Sequence, residues 1–164
     1  MHRRLAVVAL CGSLIVAACG GGSPGATIDV IPATGPDRVR AHAEVQATAE
    51  RIALALGFEP STNTDAVGRF YDTAGETTLI LSVFQFREDP QIKLFISQHN
   101  YVMLGVELWD LNGSGLYFED QSIAKRKLLE LVGELRKEFG TDRIYLNDWT
   151  LQQMQSNSGD MIIP

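Results

Sequence analysis

Cysteine is scarce in this chain, and where it is missing decides much. Cys11 and Cys19 are the only two among 164 residues, and Cys11 lies inside an apolar leader. Beyond that leader a single thiol remains, which excludes an intramolecular disulfide and a cysteine-based metal site. Histidine is nearly as rare, with His42 and His99 alone beyond residue 2. His42 stands two residues from Glu44 on a helical stretch, and positions two apart do not share a helix face. His99, next to Asn100, reads as turn chemistry at a hairpin tip. There is no Gly-x-Ser-x-Gly elbow, His-Glu-x-x-His pair, phosphate-binding loop or dinucleotide fingerprint. Catalysis therefore has no motif to stand on, and no cofactor is expected. An envelope-polymer hydrolase is the weakest reading, with no residues to carry it.

Positive charge is also short. The leader holds two of the 14 Lys and Arg residues and none of the 20 acids, leaving 12 against 20, formally −8. An acidic domain repels phosphate backbones, so nucleic acid is not an expected partner. Long apolar runs are missing too. The longest, Leu5 to Ala18, is broken only by Gly12 and Ser13 and falls short of the ~20 residues a membrane-spanning helix needs.

That run does have the form of a secretory signal, with Arg3 and Arg4 ahead of the apolar core. It ends in Val16-Ala17-Ala18-Cys19, followed by Gly20. An aliphatic residue, two small residues and a cysteine resemble the lipobox of bacterial lipoproteins. The resemblance covers only the leader and its cleavage site. It implies removal of residues 1–18 by cleavage between Ala18 and Cys19, diacylglyceryl transfer to the Cys19 sulfur, and further acylation of the new amino terminus by a fatty acid such as palmitate. The absence of aspartate at position 20 implies sorting to the outer membrane, facing the periplasm. In a source without an outer membrane, the same tether sits on the outer face of the cytoplasmic membrane. Plain signal-peptidase cleavage after Ala18 is the competing reading. It leaves an exposed free thiol in an oxidising compartment, which is disfavoured. Two or more acyl chains convert marginal membrane binding into stable anchoring. Residues 19–26, rich in Gly, Ser and Pro, then form a flexible spacer. Residues 27–164 have the length of one domain with one core.

Within that domain, Val45, Ala49, Ile52 and Leu56 form one apolar stripe at helical period. Gly35-Pro36-Asp37 is its start signal and Gly57 its stop. A second helix is expected over residues 121–139, with Leu128, Leu131, Val132, Leu135 and Phe139 inward and Gly140 as terminator. Arg126 with Glu130, and Glu134 with Lys137, are spaced to pair on its wet side. Between the helices the period changes to two. Residues 77–87 read as a central strand, apolar on both faces, and residues 91–98 and 101–110 as a hairpin. Residues 66–72 and 143–147 read as further strands, and residues 27–31 as a short edge strand. This order predicts an α+β fold, two helices packed on one face of a mostly antiparallel sheet of four to six strands, a two-layer sandwich.

The alternation assigns Ile92, Leu94, Ile96, Val102, Leu104, Val106 and Leu108 to the helix-covered face. The other face receives Lys93, Phe95, Ser97, His99, Tyr101, Met103, Glu107 and Trp109. Aromatic side chains on a sheet face need covering or a purpose. The plainer expectation is that the C-terminal segment, with Trp149, Leu151, Met154, Ile162 and Ile163, folds back over them. The sharper one is a partner-binding surface of Phe95, Tyr101, Met103 and Trp109. Residues 110–115 (DLNGSG) resemble the start of an EF-hand calcium loop, with Asp110, Asn112 and Ser114 as oxygen ligands and Glu119 as a nearby acid. Position twelve is Gln121, not the bidentate glutamate, and Asn, Gly and Ser are ordinary turn residues, so the stretch reads as a turn and no metal is expected. The function expected from these features is a membrane-anchored envelope lipoprotein that binds an envelope protein partner without catalysis. The alternative is a small-ligand or calcium-binding lipoprotein.

Overall fold

The two apolar stripes become the two long helices. A computed structural model describes residues 23–33, 38–73, 76–99, 103–113 and 115–155. The leader, Cys19, the start signal at 35–37, Tyr101, Val102, Ser114, Ile162 and Ile163 lie outside the described residues. In chain order the elements are β1 (Gly25–Val30), α1 (Arg38–Ala55), β2 (Phe58–Pro60), β3 (Phe70–Thr73), β4 (Glu76–Phe86), β5 (Ile92–His99), β6 (Met103–Asp110), α2 (Ile123–Phe139), a short 3-10 turn (Thr141–Arg143), β7 (Ile144–Leu146) and α3 (Asp148–Met154).

The strands form one sheet in the order β2-β4-β5-β6-β1-β7, with β3 sharing the free edge of β4 with β2. The sheet is therefore six positions wide with seven strands, and every described pairing is antiparallel. The helices pack against it, so the fold is the expected α+β two-layer arrangement. Its core joins Ala26, Ile28 and Val30 of β1, Leu94 and Ile96 of β5, and Leu104, Val106 and Leu108 of β6 to the stripes Val45-Ala49-Ile52 and Leu128-Leu131-Val132-Leu135. Each fully buried Val, Leu or Ile side chain among them contributes roughly 1.5–3 kcal/mol through removal from water.

Helix ends follow their signals. Ser122 caps α2, its hydroxyl accepting from the Lys125 amide, and Gly140 ends it at φ 82°. Gly57, at φ 89°, follows α1 in the left-handed region that suits glycine. Glu134 pairs with Lys137 as expected, but Glu130 pairs with Lys127 rather than Arg126. In β4 the register shifts between Ile80 and Ser82. This bulge puts Ile80 and Val83 together on the outer face while Phe84 and Phe86 stay in the core. That is how one strand is apolar on both sides.

Two placements correct the sequence reading. The segment read as an edge strand, residues 27–31, is β1 and lies inside the sheet, between β6 and β7. The true edge on that side is β7. A third helix, α3, was not expected at all. Besides Met154, its inward residues are polar: Thr150 Oγ1 accepts from the Thr27 amide at 3.0 Å and donates to the Thr27 carbonyl at 2.6 Å. One hydroxyl thus stands in for the strand partner that β1 lacks beyond the end of β7. Gln153 accepts from the Phe118 amide and donates to the Leu116 carbonyl, each at 2.8 Å.

Candidate functional site

On the outer face the strands align in cross-strand rows. Gly25, Trp109, Lys93, Gln85 and Glu59 occupy one row, and Thr27, Glu107, Phe95 and Val83 the next. A third row holds Asp29, Gly105, Ser97 and Ile80, and His99 follows on β5 opposite Met103. Two of these positions are glycines, and an aromatic ring fills each gap. The Trp109 indole lies where a Gly25 side chain would be, 2.5 Å from its ideal Cβ, and the His99 imidazole lies over Gly105 at 2.4 Å.

The vacancy at Gly105 lets the His99 ring cross β6 and reach β1. Its Nδ1–H donates to Asp29 Oδ1 at 3.2 Å. On the other side Nε2 is 2.8 Å from Ser97 Oγ and 3.3 Å from Glu107 Oε1. The Ser97 hydroxyl donates to Glu107 Oε1 at 2.9 Å. The three charged side chains are 15 % (His99), 11 % (Asp29) and 18 % (Glu107) exposed, and Ser97 is fully buried. Hydrogen bonds to Asp29 first and Glu107 second raise the His99 pKa to about 10, against the opposing effect of burial. The ring is therefore a cation at neutral pH, between two carboxylates.

The connectivity Asp29–His99–Ser97 follows the order of a hydrolytic triad, yet the chemistry differs. A triad histidine must be neutral to take the serine proton. Here the imidazole is already protonated, the serine proton goes to Glu107, and the Ser97 hydroxyl is sealed from any substrate. The cluster can bind three strands together and hold a fixed pattern of charge. Among the described residues no group of three or more His, Cys, Asp or Glu is placed to hold a metal ion.

Gly105→Ala is expected to displace the imidazole, because the new Cβ would lie 2.4 Å from His99 Cε1 and 2.9 Å from Ser97 Oγ. Overpacking of this kind costs about 1–3 kcal/mol, and the His99 pKa should fall from about 10 towards its ordinary 6.5. An NMR titration of the ring checks it; an unmoved pKa would mean that the ring does not depend on the gap.

The aromatic surface is smaller than the sequence suggested. Phe95 is buried with Ile80 and Val83, and Ala66 and Trp109 pack against them. Its cover therefore includes the segment after β2, and Met154, expected among the covering residues, is instead in the main core. Phe95 drops out of the candidate surface. Met103 and Trp109 are half-buried.

The loop after β6 is a side-chain-capped turn. Asp110 Oδ1 accepts from the Asn112 and Gly113 amides, both at 3.0 Å, and Asn112 Nδ2 donates to the Asp89 carboxylate. Glu119 is exposed, and the neighbouring Asp120 pairs with Lys125. The Asp110 carboxylate is thus turned into its own backbone.

The sequence reading had Ser97, His99 and Glu107 on one face but did not join them, and it missed Asp29. The signal was Gly105, a gap on the same face of β6 as Glu107 and beside the strand that carries Ser97 and His99. Fold and cluster together define a two-layer α+β domain with an ion-pair network on its outer sheet face. Comparison with protein-family models, with curated proteins and with solved structures finds no match to this chain. No helix among the described residues is long and apolar enough to cross a membrane.

Proposed function

We propose that this chain is a lipid-anchored envelope protein whose domain binds a protein partner without catalysis. The anchor is Cys19, lipidated after cleavage at Ala18, and it places the domain on the periplasmic side of the outer membrane. The reading of the anchor rests on Val16-Ala17-Ala18-Cys19 and on the cost of leaving that cysteine as a free thiol in an oxidising compartment. Palmitate labelling in the native host should mark the wild-type chain and leave Cys19→Ser unlabelled. Label on the variant would sink the anchor.

The observation that carries partner binding is the rigid outer face of β5, β6 and β1. Met103 and Trp109 stand half-buried beside a network, itself including Glu107, that ties their strands together. Side chains already held in place lose little freedom when a partner arrives. The formal charge of −8 beyond the leader favours a partner with a basic surface and an association that weakens with salt. Brief crosslinking of a C-terminally tagged full-length chain in its own host, followed by mass spectrometry, should recover one or two envelope proteins in stoichiometric amounts. Met103→Arg should reduce that recovery severalfold with the fold intact. Recovery of the tagged chain alone would move the weight to a small ligand.

A further inference from the structure

Leu116, Tyr117 and Trp149 are 62, 46 and 39 % exposed; the first two are neighbours in the chain, on a loop held against α3 by Gln153 donating to the Leu116 carbonyl. The Tyr117 and Trp149 rings stack at 5.3 Å between centroids, and Tyr117 precedes the buried Phe118 that Gln153 of α3 holds. Trp149 Nε1–H donates to the Gly25 carbonyl at 2.8 Å, and the Tyr117 hydroxyl donates to Gln152 at 3.1 Å. Gly25 is where the chain enters the sheet from the cysteine. We infer that these three side chains form a membrane-contacting face that seats the domain on the zwitterionic bilayer to which Cys19 tethers it.

This inference rests on the lipidation reading, and three observations carry it further. The chain from Cys19 to Gly25 spans at most about 20 Å when fully extended, so an acylated cysteine keeps this end of the domain at the bilayer surface. The polar atoms of both rings are already satisfied within the protein, so the rings leave water without stranding a donor. The third is size. The exposed portions amount to roughly 300 Å², well short of the ~800 Å² per side of a free-standing protein interface. A tethered surface needs no such area, because the anchor supplies the effective concentration. Exposed Glu119 and Asp148 flank the patch and set it against anionic lipid. Tryptophan and tyrosine are the residues that favour the headgroup level.

The test uses the full lipidated chain, purified in detergent and reconstituted into phosphatidylcholine vesicles with acyl chains brominated near the headgroup. In a Trp109→Phe chain, whose remaining tryptophan is Trp149, bromine should remove about half of the emission if the ring sits at interfacial depth. On the wild-type background, Leu116→Asp should abolish most of the bromine-dependent loss while the protein still floats with the vesicles. Unquenched Trp149 in a chain that floats overturns the inference and leaves the anchor standing. A chain that does not float overturns both.

Discussion

Replacing His99 with alanine is expected to cost about 2–4 kcal/mol of stability at pH 6, and much less at pH 10. The imidazolium bridges Asp29 on β1 and Glu107 on β6 from its place on β5. Its removal leaves two largely buried carboxylates facing an empty space over Gly105. Breaking a buried ion pair from one side costs about 3–5 kcal/mol, and the partly wet edges of this site justify the lower figure. The pH dependence has a definite sign. His99 titrates at about 10 in the folded protein against 6.5 ordinarily, so the folded state holds this proton more tightly than the unfolded one. The contribution is complete below pH 6.5, declines as pH rises from there and is gone above 10. After allowance for solvent screening it amounts to on the order of 2 kcal/mol. Urea midpoints of the wild type should fall across that window, and those of His99→Ala should lack this component. The same slope in both proteins would show that His99 is not the titrating group.

Lys125 gives the second large effect, through packing more than charge. It is 1 % exposed on the inner side of α2, with Nζ donating to Asp120 at 2.6 Å and to the Gln155 carbonyl. Lys125→Ala deletes a buried stem as well as the ammonium and should cost about 3 kcal/mol. Lys125→Met keeps the volume and should cost only about 1 kcal/mol, since replacing a buried charge by an apolar group of similar shape is often mild. Asp120, a third exposed, is solvated in either variant, while the Gln155 carbonyl loses a donor. Equal losses in the two variants would mean that the ion pair, not the stem, holds the end of α3 against α2.

How much was legible follows from how local each signal is. The stripe of Val45, Ala49 and Ile52 and that of Leu128, Leu131, Val132 and Leu135 lie within single helices, where 3.6-residue periodicity identifies the buried side without knowledge of what covers it. The alternation of Ile92-Leu94-Ile96 against Lys93-Phe95-Ser97 is equally local, and it sorted His99, Ser97 and Glu107 onto the correct face. The turn at Asp110 was legible as a turn from its Asn, Gly and Ser, and the calcium alternative stood beside it because ligand and turn residue use the same oxygen atoms.

The sequence by itself determined the two long helices, the faces of β5 and β6 and the two-layer class, since each depends on the order of neighbouring side chains. Tertiary structure alone decided that β1 lies between β6 and β7, that Phe95 is covered, and that His99 crosses Gly105 to reach Asp29, 70 residues away in sequence. It also decided α3, whose buried Thr150 and Gln153 are polar and leave no hydrophobic period to read. Strand neighbours and their register are set by contacts between distant segments, and a polar side chain is buried only where another segment's unpaired backbone awaits it.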